Sequence, residues 1–350
     1  MELEEDGDAV PGGTLAVKIA RIDVDVVDVP YIEPVRTVGW ANPPFVVVQV
    51  RTDDGLVGLG ERWTADRHQV EAEGEAFIGQ DPLKLRLETL DAPFQSALYD
   101  LAAQALGLPV WRLIGDQHRD RVPVAYWSCH MPPEETAREA ARAAAAGFAV
   151  HKLKARSWDI VRQAELITRA AGPDLAIRVD PNTEFRDVAV AVKLARQLAP
   201  YNVECYEDPV LKHDYRWTRL VREKTDVPQA LHLQHARDAL AAVSAGAVDR
   251  LNVSGNVAEV LRVHAVCAAA GIRMWHQIAG LSLGVQAAFA VHVGCTLEMA
   301  TLPSDELPFI HENDLIGGAL PAEDGHFTVP AGPGLGIQLD QAALNHYRID

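Results

Sequence analysis

Ala149-Val-His-Lys-Leu-Lys154 is a short apolar run closing on two lysines at alternate positions. Further runs downstream close on Asp180, Glu207, His232, His276 and Glu298, and the successive intervals from Lys154 are 26, 27, 25, 44 and 22 residues. The interval of 44 is two steps of 22 with Ser254 at its midpoint. One strand, one helix and two loops occupy about that length, so the spacing predicts the βα repeat of a (β/α)8 barrel. The C-terminal strand ends of such a barrel converge on one mouth, where its chemistry is placed. The expected strands are Val122–Ser128, Ala149–Lys154, Ala176–Asp180, Val203–Glu207, Gln229–Leu233, Asp249–Ser254, Ile272–His276 and Thr296–Ala300, joined by Ala-rich helices. They are largely apolar, as strands covered on both faces are.

Working outward, residues from about 15 to 63 read as antiparallel strands, with Thr52-Asp-Asp-Gly55 as a turn between them. From about 66 to 115 the apolar period is helical, and Gly107 and Pro109 end the last helix. Turn signals return after residue 320. The expected organisation is a loose tail over residues 1–14, an α+β cap over 15–120, a barrel over 121–319 and a segment over 320–350 that returns to the cap. The 350 residues are 48% hydrophobic, as in an ordinary globular protein. A net charge of −17 disfavours a nucleic-acid partner, which needs a basic face. No signal peptide or membrane span is visible. Cys129, Cys205, Cys267 and Cys295 show no C-x-x-C spacing and read as free thiols in a reducing cytoplasm.

Lys152 and Lys154 lie two apart on one strand, so both point into the mouth while His151 and Leu153 point away. Two such lysines raise each other's cost of charging, which suits one as a base and the other as an anion partner. Asp180 and Glu207 end neighbouring strands about 4.8 Å apart, close enough to share a hard divalent cation; helix N-caps are the plainer alternative. His276 is the candidate acid or base across the mouth from Lys154, and Glu298 the candidate donor to a developing oxyanion.

These features resemble the enolase superfamily in its mandelate racemase and muconate-lactonizing branch. The likeness is carried by Thr52-Asp-Asp-Gly-Leu-Val-Gly-Leu-Gly-Glu61, Ala97-Leu-Tyr-Asp-Leu-Ala-Ala-Gln-Ala-Leu-Gly-Leu-Pro109, the Lys-x-Lys strand, Arg178-Val-Asp-Pro-Asn182, Tyr206-Glu-Asp-Pro209 and Pro333-Gly-Leu-Gly336. It implies an α/β fold, a modified (β/α)7β TIM barrel under an α+β capping domain formed by the N-terminal part and the C-terminal tail. It implies metal-assisted removal of a proton α to a carboxylate. By position it makes Asp180 and Glu207 metal ligands, Lys154 the base, Lys152 the carboxylate partner, His276 the opposite acid/base and Glu298 the enolate hydrogen-bond donor.

Two positions depart from the family pattern. Its third metal ligand is an acidic residue ending the fifth strand, where this chain reads Pro228-Gln-Ala-Leu-His-Leu-Gln-His235 and places His232 or Leu233. Mg2+ is the expected ion, with Mn2+, Fe2+ or Zn2+ favoured if His232 binds. The sixth strand carries Ser254 where the branch has Asp or Lys, so His276 lacks a carboxylate partner. The first functional reading is dehydration of a hydroxylated (sugar) acid. Arg36, Trp40, Arg62, Asn182 and Ser254 are its candidate substrate contacts, with Asn42 and Trp63 also in the cap loops. Racemisation, epimerisation or cycloisomerisation of an α-substituted acid is the second reading, and a non-catalytic relative that binds a ligand or partner is the third. A homo-oligomer is expected because closed symmetric assemblies are common.

Overall fold

The computed structural model describes residues 17–63, 66–212, 214–277 and 281–349. The loose tail expected over residues 1–14 lies outside the described residues. The first sheet is antiparallel and holds β1 (Ile19–Val27), β2 (Phe45–Thr52) and β3 (Val57–Trp63) in that order. The helix Phe94–Ala105 packs on its inner face, with Gly58 and Gly60 of β3 against the backbone oxygens of Ala97 and Pro93. This is the helical period and the strand–turn–strand signal expected before residue 115.

The expected strand Val122–Ser128 is divided. β4 (Arg121–Pro123) leaves the barrel to pair antiparallel with β12 (His326–Thr328), and β5 (Tyr126–Ser128) enters the parallel sheet. Pro123 has no N–H to give, and Val124 donates its own to the Gly325 carbonyl. The parallel sheet then runs β5, β6 (Val150–Lys154), β7 (Ala176–Asp180), β8 (Val203–Glu207), β9 (Gln229–Leu233), β10 (Arg250–Val253) and β11 (Arg273–His276). A helix follows each strand, so both faces are covered and the strands are apolar.

The expected eighth strand, Thr296–Ala300, is a run of turns instead. Arg119 donates to the carbonyl of Gly294, which ends the helix Gly284–Gly294, and to those of Leu297 and Glu298 in the turns beyond it. Those carbonyls have no intrahelical partner, and the guanidinium holds the chain in turns until residue 301. The two edges of the sheet are bridged a few residues later. Leu302 N–H donates to Met274 on β11, and Ser304 pairs in parallel with Val124 just before β5.

The C-terminal segment is fixed to the first sheet through one buried carboxylate. Asp100 accepts from the N–H of Leu59 on β3 (3.0 Å) and of Leu335 (2.9 Å). Gly334 sits at φ +70°, and a Cβ there would come 2.1 Å from Asp100 Oδ1, so the Pro333–Gly336 motif requires glycine at that point.

Candidate active site

Strand parity decides which side chains share the mouth. Lys152 pairs with Arg178 and Lys154 with Asp180, and all four face inward. His151 faces out and meets Ser128 Oγ at 2.7 Å. On β10 and β11, Asn252 pairs with Trp275, so Trp275 and Gln277 are inward and His276 is outward.

The Lys152 ammonium lies among three carboxylates, 2.6 Å from Asp305, 2.8 Å from Glu207 and 3.3 Å from Asp180. Burial opposes its charge, but Asp305, Glu207 and Asp180 more than offset that and hold it above the ordinary lysine range. Lys154 Nζ donates to Asp180 at 2.6 Å. Burial would raise Asp180, yet Lys154 and Lys152 draw it below the usual carboxylate range. Glu207 moves the other way, up to about 7, because burial and its acidic neighbours outweigh Lys152. Its Oε1 accepts from Asn252, while Oε2 meets the ammonium without hydrogen-bond geometry.

Asp305 organises the base of the site. It accepts from Lys152, from Trp275 Nε1 (2.9 Å), from Arg178 (3.0 Å) and from Asn252 (3.3 Å). Arg178 stacks on the Trp275 ring at 3.8 Å and continues to Glu204. These cations lower the Asp305 carboxyl against the effect of burial.

Among the described residues, one group has three ligand atoms within 4.8 Å of one another: Glu207, Asp208 and His232. Asp208 accepts from the His232 N–H and pairs with Lys212 at 2.9 Å. His232 Nε2 meets Ser254 Oγ at 2.7 Å. Burial first, then Lys152 and Lys212, lowers this imidazole to about 4, so it is neutral at pH 7 as a ligand must be. Two carboxylates and a neutral imidazole fit one divalent cation, and Glu207 Oε2, though 2.8 Å from the Lys152 ammonium, accepts no hydrogen bond. Asp180, expected as a ligand, lies outside this trio and is engaged by both lysines. Asp208 is the second carboxylate of that trio.

Two expected catalytic side chains are not in the mouth. His276 points into the helix Gly284–Gly294, where its Nε2 meets the Ala290 carbonyl at 2.7 Å and burial lowers it to about 4. A Cβ on Gly294 would come 2.2 Å from its ring, so glycine makes room for the imidazole. Glu298 is exposed in the turns held by Arg119, because the chain closes the sheet seven residues later with Asp305 inward. The cap candidates divide likewise. Trp40 and Trp63 line a cavity of about 180 Å³ above the lysines, with Trp127, Gln277, Asp305, Leu281 and Leu307. Arg36 pairs with Glu312 at 2.5 Å, and Arg62 turns to the Ala92 carbonyl and Glu73. Asn42 holds Asp28, and Asn182 is exposed with only its backbone N–H reaching Asp180.

Sequence reasoning missed Asp305, Asn252, Asp208 and Gln277. Period-two counting back from Ser254 finds Asn252, and Asp208 lies inside the quoted Tyr206–Pro209 motif. Asp305 was hidden by placing the last strand too early, and Gln277 by reading His276 as the inward residue.

An enolase C-terminal domain-like family model matches residues 135–343. A model for the mandelate racemase / muconate lactonizing enzyme N-terminal domain matches residues 18–115. The chain is 25% identical to an N-succinyl-L-Arg/Lys racemase of Bacillus cereus, covering 95% of this chain and 98% of that one. It is 29% identical to a chloromuconate cycloisomerase of Pseudomonas putida (95% and 99%) and 28% identical to a D-gluconate dehydratase of Thermoproteus tenax (89% and 71%). Among solved structures, an isomerase from Streptomyces coelicolor superposes with a TM-score of 0.79 at 25% identity, over 95% of this chain and 97% of that one. The structure of the Bacillus cereus racemase shares the fold, with a TM-score of 0.84 at 24% identity over 95% and 98%.

Proposed function

The chain belongs to the mandelate racemase and muconate lactonizing enzyme family of enolase-like proteins, and from that premise we propose that it is a one-base lyase for a small hydroxylated carboxylate. In this reading the barrel has the family's (β/α)7β form, and residues 15–120 and 320–350 make the cap over residues 121–319. Lys152, held charged by Asp305 and Glu207, binds the substrate carboxylate. Lys154, its Nζ 2.6 Å from Asp180, is the base that takes the α-proton. Glu207, Asp208 and His232, with Asp180 adjacent, would hold one divalent ion. That ion, when bound, neutralises charge building on the carboxylate oxygens.

The single observation that carries the reading is the chemistry across the ring from Lys154. Among the described residues the inward ones there are Asn252, Ser254 and Gln277, and none takes up a proton at neutral pH. Racemisation needs a competent base on each face of the α-carbon, so elimination from one face is favoured over it. Because His276 is turned away, Lys154 serves twice. The α C–H bond breaks as its proton passes to the Lys154 amine. The C=C bond forms, the β C–O bond breaks, and the ammonium returns that proton to the departing hydroxide as water. Cycloisomerisation also runs from one face and stands second. Four free buried thiols support a reducing compartment such as the cytoplasm.

The test is proton exchange in D2O with Mg2+ or Mn2+ present, using each enantiomer of an α-protonated hydroxy acid. One enantiomer should exchange or eliminate without forming its mirror image. Lys154→Met should lower that rate by about 10²–10⁴-fold. Interconversion of the two enantiomers would exclude the one-base reading.

A further inference from the structure

The run from Asp305 to His311 contributes to two cavities. Asp305 and Leu307 line the one over the lysines, whereas Pro308, Phe309 and His311 line a second of about 350 Å³. The two share no described lining residue, so the second is a place apart from the lysine mouth. Its wall is apolar at Phe309, Leu320 and Phe327 and acidic at Glu312 and Asp314. That size, with a few polar groups among apolar ones, suits a small organic ligand.

His311 is the polar group of this wall that lacks partners. It is 5% exposed, and neither of its ring nitrogens has a hydrogen-bond partner. Tyr31 covers the ring with centroids 4.7 Å apart, and Phe45 meets it edge to face at 5.3 Å. Neither relieves the nitrogens, since the Tyr31 hydroxyl donates to the Ala41 carbonyl. A buried polar atom left unpaired is costly, so an unpaired imidazole at a cavity wall points to a ligand that pairs with it. Burial lowers this imidazole to about 3, so it is uncharged at neutral pH and does not repel a cation.

The carboxylates set the sign of that ligand. Among the described lining residues there is no lysine or arginine. Arg36 pairs with Glu312 from outside the lining, whereas Asp314 accepts only from the backbone N–H groups of Ile316 and Gly318. Its negative charge therefore faces no opposite charge.

We propose that this cavity is a second ligand site, for a small primary amine with an apolar body. The ammonium faces Asp314 and His311, and the body lies against Phe309, Leu320 and Phe327. The site is independent of the reaction proposed at the lysines.

The probes are 2-phenylethylammonium and its uncharged isostere 2-phenylethanol, each titrated calorimetrically into the full chain at neutral pH with Mn2+ present. The amine should bind about tenfold tighter than the alcohol or better, the scale of a hydrogen bond to a charged group. Asp314→Asn should remove that difference. The 15N signals of the His311 ring, identified by their loss in His311→Gln, should move as the amine binds. Equal affinity for the two probes, no amine binding at millimolar concentration, a preference that survives Asp314→Asn, or an unmoved His311 signal each overturns the proposal. If Asp314→Asn fails to fold, the wild-type comparison and the His311 signal decide.

Discussion

At the scale of the residue, a buried charge is tolerable only with partners, and Asp305 shows how far that rule reaches. It is 3% exposed and receives one ammonium, one guanidinium, one indole and one amide. Asp305→Asn keeps the shape but removes the charge that Lys152 and Arg178 face. The expected cost is roughly 3–5 kcal/mol, the scale of breaking a buried ion pair. Trp275→Phe removes one indole donor from the same carboxylate and should cost about 1.5–3 kcal/mol, the scale of a hydrogen bond to a charged group. Urea midpoints of the two variants decide it: if they fall together, Asp305 is an ordinary hydrogen-bond acceptor. The same residue marks a boundary of sequence reasoning. Lys152 and Lys154 are legible because alternation within one strand puts them on one side. Asp305 has no such signal, since Pro303-Ser-Asp-Glu306 lacks an apolar run to announce a strand.

At the scale of the element, one contact ties the first sheet to the barrel. Glu61 on β3 is 1% exposed and accepts from Leu283 N–H at 2.5 Å and Gln286 N–H at 3.3 Å, at the start of the helix Gly284–Gly294. Unpaired N–H groups and the helix dipole favour an anion there. Burial is the larger effect, and the carboxyl is raised to about 7. Its folded value thus lies above its unfolded value near 4.5, so the fold binds the proton more tightly. The Glu61 contribution to stability is fully present below about pH 4.5 and is lost as pH rises through about 7. Melting curves across this range for the wild type and Glu61→Gln should differ in slope, with the variant flatter. Parallel curves would show that Glu61 does not titrate with folding. Strands β7, β8 and β9 begin and end where the βα period placed them. The failure at Thr296–Ala300 came from the element that follows a helix: apolar Leu297 and Met299 suit a strand, but Arg119 holds their segment in turns.

At the scale of the whole molecule, residues far apart in the chain are brought to one point by closing the sheet. Glu207 and Asp208 arrive at the end of β8 and His232 near the end of β9, and their ligand atoms converge within 4.8 Å. An ion bound only by the folded chain stabilises it, by about 2.7 kcal/mol at a hundredfold excess over Kd. Saturating Mn2+ should therefore raise the melting temperature above that in EDTA. Asp208→Asn and His232→Ala should each shrink the rise, a readout independent of turnover. Equal melting temperatures in Mn2+ and EDTA would remove the ion from this site. No described helix is long and apolar enough to cross a membrane.

The order of residues along the chain determined the repeat, the apolar strands between helices, the paired lysines and the carboxylates on neighbouring strand ends. Each of these is local: a period of two or a spacing of one βα unit is written into consecutive residues. Only the tertiary structure decided that His276 faces a helix, that Glu298 lies in solvent and that Asp305 and Asp208 enter the site. Those outcomes turn on strand parity and on where the last segment closes the sheet. A shift of one residue exchanges the two faces of a strand, and the contacts that fix the register come from parts of the chain distant in sequence.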